Sequence, residues 1–204
     1  TRISKIYSNN FKQHSRNNSQ SLFMSGGLFL DRSIWKFNLL AGNQKNNLAW
    51  MAVPENEINC DRTTNSNSPL EKDDFSQVLI QIQNMFAIKK NTSIHTSIYH
   101  TLANGWWDFD LDNYYGLITP TYPLTRNSLT SYLNGGFVNY KTYYKELKFT
   151  TGIHGNIYQN NFTESQQKSQ LISYKNTKNK KEFSGFTKLE FKKNKLLIFG
   201  DFQY

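Results

Sequence analysis

Apolar and polar side chains alternate with period two along runs of about a dozen residues. Each run ends in a tight turn, a second run follows, and a polar stretch leads on to the next pair. In 21–44, Leu22, Met24, Gly26, Leu28 and Leu30 share a face, the chain reverses at Asp31-Arg32-Ser33, and Trp35, Phe37, Leu39 and Ala41 oppose Lys36 and Asn38. A second hairpin, 75–102, alternates Val78, Ile80 and Ile82 with Gln77, Gln81 and Gln83, turns at Lys89-Lys90-Asn91-Thr92, and returns with Ile94 and Ile98 on one face beside Thr96 and His100. A third joins 136–144 to 147–158 through Lys145-Glu146 and sets Leu147, Phe149, Ile153 and Ile157 against Lys148, His154 and Asn156. In the fourth, Phe183, Leu189 and Phe191 oppose Glu182, Lys188 and Glu190, the turn is Lys193-Asn194, and Leu196, Ile198, Phe202 and Tyr204 oppose Asp201 and Gln203.

Between the hairpins lie 9–20, 45–74, 103–135 and 159–181, rich in Asn, Ser, Thr, Lys and Gln and predicted to be long loops. Structureless connections of that length are uncommon in compact domains. Strict alternation of short and long connections fits an antiparallel up-and-down transmembrane β-barrel, with short periplasmic turns and long extracellular loops. About nine strands are legible, so 1–204 is expected to be part of a barrel domain. Leu28, Trp35, Phe37, Val78, Ile80, Leu189 and Ile198 are expected to face lipid, and Lys36, Gln81, Lys188 and Asp201 the lumen.

Composition is compatible with this reading. A mean hydropathy of -0.67 and 37% hydrophobic residues look low for a membrane protein, but in a barrel only every second strand residue meets lipid. No apolar run approaches the roughly 20 residues of a membrane helix. Aromatics reach 15%, and Trp35, Tyr99, Tyr143, Tyr144 and Tyr158 sit near strand ends, where interfacial girdles form; ordinary strand propensity gives the same enrichment. The formal charge of +9 raises a nucleic-acid reading, with the Lys-rich 174–181 and many Tyr and Phe as stacking candidates. The lysines gather in loops and turns, Lys and Asn are both overused as an AT-rich genome would produce, and no nucleic-acid-binding module is present, so no nucleic-acid partner is expected.

Candidate chemistry is sparse. Cys60 is alone, and His14, His95, His100 and His154 are scattered without metal-ligand spacing. Asp108, Asp110 and Asp112 have the i, i+2, i+4 spacing of a calcium loop but lack its Gly and distal Glu. No catalytic set stands out, and neither an enzyme, a metal nor a cofactor is expected. Trp50, Trp106, Trp107, Asp108, Asp110, Tyr114 and Tyr115 fall in predicted loops and are the candidates for contacting a small ligand by stacking; packing of these aromatics against one another is the alternative.

Several segments, taken in order, resemble the barrel elements of one protein family. Arg2-Ile3-Ser4-Lys5-Ile6-Tyr7-Ser8-Asn9-Asn10-Phe11, followed by Ser15, is similar to an early barrel strand and its loop; Phe29-Leu30-Asp31-Arg32-Ser33 and Lys36-Phe37-Asn38-Leu39-Leu40-Ala41-Gly42 follow. Ala49-Trp50-Met51-Ala52-Val53-Pro54-Glu55 resembles the family's "AW-x-G-V-P-E" loop with Ala52 in place of Gly. Tyr115-Gly116-Leu117, Thr125-Arg126, Gly135-Gly136-Phe137 and 183–204, ending Asp201-Phe202-Gln203-Tyr204, match later elements. These segments together resemble TonB-dependent outer-membrane receptors of the Bacteroidetes type, and the resemblance implies a plugged barrel of about 22 strands in the outer membrane of a Gram-negative bacterium. It further implies energised uptake of a siderophore, vitamin, glycan or similar ligand, with outer-membrane lipid, a plug domain, the remaining strands and the TonB complex as partners. No initiator Met, signal peptide or plug-like segment precedes the first strand, so the chain is expected to be a piece of a longer protein or of a degraded gene.

Two other readings stay open. A small self-contained, porin-like barrel requires an even strand count and pairing of the first strand with the last. A soluble all-β binding module requires two sheets stacked with the apolar side chains between them.

Overall fold

A computed structural model describes residues 1–117 and 121–204. Its strands are β1 (Arg2–Ser8), β2 (Asn17–Phe29), β3 (Ser33–Asn47), β4 (Lys72–Lys89), β5 (Thr92–Phe109), β6 (Thr125–Tyr144), β7 (Leu147–Gln166), β8 (Ile172–Lys193) and β9 (Leu196–Gln203). Two short helices, α1 (Glu55–Cys60) and α2 (Leu111–Tyr115), lie in connections. The strands form a single sheet in chain order, each antiparallel to the next. Short connections (30–32, 90–91, 145–146, 194–195) close one end, and 9–16, 48–71, 110–124 and 167–171 close the other. Lys145 and Asn194 take the left-handed backbone, φ 51° and 53°, that two-residue hairpins ask of their turn residues.

The strands run further than the hydrophobic alternation indicates, which corrects two of the predicted loops. Most of 159–181 is strand, leaving only 167–171 as a connection, and 103–135 contains the end of β5 and the start of β6. Past Tyr132, Ile157 and Phe183 the residues on both faces become mostly polar, and past Leu102 both faces carry aromatic rings, so the period-two signal fades. The backbone ladder continues, because its hydrogen bonds do not depend on side-chain polarity. Cross-strand polar pairs such as Thr177 Oγ1 to Asn161 Oδ1 (3.0 Å) accompany the extension.

Register places the two kinds of residue on opposite faces. Leu28 pairs with Trp35, Leu39 with Ile80, Ala41 with Val78, Val78 with Leu102, Leu102 with Tyr132, Val138 with Ile153, Phe149 with Leu189 and Phe191 with Ile198, so one predominantly apolar face runs from β2 to β9, interrupted at mid-height by the hydrogen-bonded His100 and Asn134. Among the described residues no hydrophobic side chain is buried, and Leu28, Trp35, Phe37, Leu189 and Ile198 are exposed. The described residues form one sheet with no second sheet over it, so the stacked-sheet arrangement of a soluble module is not formed among them. From Leu147 to Ile157 the apolar face of β7 extends roughly 33 Å at about 3.3 Å per residue. The roughly 40° tilt of barrel strands projects this to about 25 Å, the height of an outward apolar band.

The opposite face mixes apolar side chains such as Leu40, Leu79 and Phe137 with polar ones that bond to one another. Ser25 donates to Asn38 Oδ1 (2.8 Å), Asn38 to Gln81 Oε1 (3.1 Å) and Gln81 to Ser97 Oγ (3.2 Å), a line across four strands. Lys36, Lys188 and Asp201 are also on this face. Each hairpin steps past the previous one in the same direction: β4 continues beyond the Ser33–Phe86 pair, β6 beyond Thr92–Thr142, and β8 beyond Leu147–Phe191. A constant stagger of this sign is what tilts strands in a barrel wall. β1 and β9 lie at opposite ends of the strand order and are not paired, so the closure a self-contained barrel of these nine strands would need is not formed.

Candidate ligand-binding surface

The long connections meet in a clasp held by backbone and amide bonds. Asn65 Nδ2 donates to the carbonyls of Gln13 (2.9 Å) and Leu48 (3.0 Å), and Gln13 N donates to Thr63 O (2.8 Å). Asn113 Nδ2 reaches Ser66 O (2.9 Å), tying α2 to the 48–71 loop. At the centre Glu71 is fully enclosed, accepting from Asn67 Nδ2 and from the Asp110 backbone N–H (2.9 Å). A buried carboxylate needs such donors, and here they come from two different loops. Asp61, at the exposed edge of the clasp, has its carboxyl held below the usual range by hydrogen bonds from the Thr63 side chain and backbone.

The three aspartates of the calcium-like spacing serve three different partners. Asp108 is 3% exposed and takes a bidentate bond from Arg126, Nε to Oδ1 at 2.7 Å and Nη2 to Oδ2 at 2.8 Å. That carboxylate holds the guanidinium protonated above its ordinary range. Asp110 caps α2, accepting from Asn113 N (3.1 Å). Asp112 accepts from the backbone N–H groups of Thr121 (3.0 Å) and Tyr122 (2.9 Å).

Trp106 and Trp107, placed in a loop by the hydrophobic pattern, stand in β5 and therefore point to opposite faces. Trp106 lies on the apolar side beneath the Arg126 guanidinium, 3.7 Å from Cζ to ring centroid, a cation–π contact. Trp107 lies on the polar side. There it joins residues that sequence reasoning missed: Phe75 (ring centroids 6.2 Å, nearly parallel at 21°) and Phe162 (6.0 Å), with Tyr174 a further 6.0 Å on. Together they form an aromatic band crossing β4 to β8. Gly105 makes room for it, because a Cβ at that position would collide with the Phe75 ring. A similar device operates lower on this face, where Gly135 lets Tyr99 cross β6 so that its hydroxyl meets His154 Nε2 at 2.8 Å.

The other candidate aromatics form a second cluster above the band. Trp50 meets Phe109 at 5.9 Å, Phe109 meets Tyr114 at 5.4 Å, Tyr114 meets Tyr115 at 5.3 Å, and Tyr115 meets Tyr122 at 6.2 Å. These rings pack on one another, yet Trp50, Tyr114, Tyr115 and Tyr122 keep about half of their surface exposed. Only the strand register could have joined Phe75, Phe162 and Tyr174 to Trp107, since nothing in their sequence spacing does.

No protein-family model and no curated protein matches the sequence. Solved structures do. The chain is similar to the ferric citrate transporter FecA (TM-score 0.82, 8% identity, 94% of this chain and 30% of that one). It is similar to the copper transporter OprC (TM-score 0.72, 8% identity, 98% and 31%). A third similar structure is the ferric yersiniabactin uptake receptor FyuA from Yersinia pestis (TM-score 0.61, 8% identity, 89% and 27%). The chain thus spans about a third of the length of the proteins it matches. At such identity it is the backbone arrangement that is shared, and the open nine-stranded sheet has the fold of a stretch of the barrel wall of TonB-dependent outer-membrane receptors.

Proposed function

We propose that residues 1–204 are a segment of a TonB-dependent receptor barrel, with the apolar face against outer-membrane lipid and the polar face toward the lumen and its plug. The observation that carries this reading is the broad, exposed and predominantly apolar face. It ends at Ala41, Val78, Tyr132, Ile157 and Phe183 while the strands continue upward as mostly polar wall; of β3 to β8, β5 alone carries an aromatic residue, Trp106, on this face beyond that limit. A lipid slab produces such a limit; a protein partner would follow its own contour.

In this orientation the clasp and both aromatic groups lie on the extracellular side. Trp50, Trp107, Tyr114 and Tyr115 are then placed to contact ligand, while Trp106, Asp108 and Asp110 hold the wall and the loops in shape. The role is uptake: the similar structures are transporters and receptors for ferric citrate, copper and ferric yersiniabactin, and their differing cargoes assign none to this chain. The parts that would drive transport, a plug contacting the TonB complex and the strands that complete the wall, belong to the rest of such a receptor.

The test is fractionation of cells expressing the intact protein that contains this chain, followed by electrophoresis with and without boiling. Outer-membrane residence and faster migration of the unboiled form are expected. A soluble protein with heat-insensitive migration would overturn the assignment.

A further inference from the structure

Two adjacent cross-strand rungs of the polar face carry the aromatic band, and most of their remaining members are uncharged or acidic hydrogen-bonding side chains. The upper rung reads Asn17, Asn46, Asp73, Trp107, Asn127, Glu164, Tyr174 from β2 to β8. The lower reads Ser19, Gln44, Phe75, Gly105, Leu129, Phe162, Asn176 in the same order. Neither rung contains Lys or Arg. Beside the rings stand amides, the Ser19 hydroxyl and two carboxylates, with Gly105 and Leu129 between Phe75 and Phe162. Amides and carboxylates are already aligned by their neighbours: Asn46 Nδ2 donates to Asp73 Oδ1 (2.8 Å), Ser173 Oγ to Glu164 Oε1 (2.7 Å), and Asn176 Nδ2 to the Tyr174 hydroxyl (2.9 Å). At its β4 end the band opens into a hollow of about 510 Å³ bordered by Phe75 and floored by Gly42 and Ala103, with Ser19, Gln44 and Gln77 on its walls.

Each property restricts the ligand. Half-buried rings in a row offer flat apolar surface at intervals of about 6 Å, suited to stacking on the C–H face of a ring that is polar at its rim. Amides and carboxylates supply paired acceptors and donors for hydroxyl groups. Two carboxylates without a cation in the same rungs oppose an anionic chelate or a phosphate. A hollow that sets Ser19, Gln44 and Gln77 beside the apolar Ile6, Leu40 and Phe75 fixes orientation as well as affinity.

Resting on the receptor reading above, we propose that this band is a binding site for a neutral oligosaccharide, its sugar rings stacked along Trp107, Phe75 and Phe162 and its hydroxyls bonded by Asp73, Glu164 and the flanking amides.

The experiment uses the intact receptor containing this chain, purified from outer membranes in detergent and applied to an array displaying neutral and acidic oligosaccharides. Titration calorimetry follows with the neutral oligosaccharide that gives the strongest array signal, and with ferric citrate as the anionic comparison. Binding to neutral glycans is expected, with Trp107→Ala weakening it at least tenfold and Trp106→Ala, one residue along on the opposite face, leaving it within twofold. Heat-modifiable migration of each variant verifies that it folds, and Phe162→Leu, which keeps bulk but removes the flat ring, gives a second reading with an expected loss of fivefold or more. Binding confined to acidic glycans, no glycan binding, or neutral-glycan binding indifferent to both Trp107→Ala and Phe162→Leu would overturn the site. Ferric citrate binding alone would discard the saccharide and leave the receptor role standing; absence from the outer membrane would remove the receptor role itself.

Discussion

Asp108 is almost wholly enclosed, and what makes that tolerable is a guanidinium bonded to both of its oxygens and stacked on Trp106. Taking away one member of an enclosed ion pair leaves the other without compensation, at a cost of about 3 kcal/mol. Asp108→Ala should therefore lower the stability of the intact protein by about that amount in urea titrations of folding into lipid vesicles, and Asp108→Asn, which keeps one acceptor, by roughly half as much. Asp73 behaves differently. Burial raises its carboxyl above the usual value, against the lowering effect of Asn46, so the folded state favours the protonated form. Its contribution to stability is present below the unfolded pKa and is lost as pH rises through the folded one. Asp73→Asn should flatten that acid-side slope from about pH 4 upward, and an unchanged slope would show that Asp73 is not its source.

On the scale of a strand, neighbouring residues experience opposite surroundings. Ile82 lies mid-height on the apolar face of β4, and Gln83 faces the other way beside Lys36 and Ser97. A cation near the middle of the lipid-facing band costs about 2 to 4 kcal/mol. Ile82→Arg should accordingly cut the yield of heat-modifiable protein severely while Gln83→Arg leaves most of it, and equal yields would count against lipid contact. Strands were legible in the sequence where the two faces differ in polarity: Phe37 stands between Lys36 and Asn38 and Leu189 between Lys188 and Glu190, and Leu28, Val78 and Ile80 share their face. They were illegible where both faces meet water, as in the upper parts of β7 and β8. The aromatic band was hidden for a related reason. Trp106-Trp107 reads as one exposed loop cluster until the pleat sends its two rings to opposite sides, and Phe75, Phe162 and Tyr174 come together only through pairings between distant strands.

For the whole sheet, the decisive property is that it has ends. The outer edges of β1 and β9 present backbone groups that no strand among the described residues pairs. In hydrocarbon each such group costs several kcal/mol, and in water a flat edge recruits other edges. Residues 1–204 produced alone and refolded into detergent should form higher oligomers without a heat-modifiable monomer, as light scattering and unboiled electrophoresis will show; a monodisperse, heat-modifiable monomer would mean that the sheet closes by itself. The steady offset between hairpins has an effect at the other end of the molecule. Because the lipid limit falls lower along the rungs toward β8, Tyr174 stands much farther above Phe183 than Phe75 stands above Val78. The four rings are thus steps of a staircase, and a molecule passing from one to the next descends toward the hollow beside Phe75 while it turns around the inside of the wall.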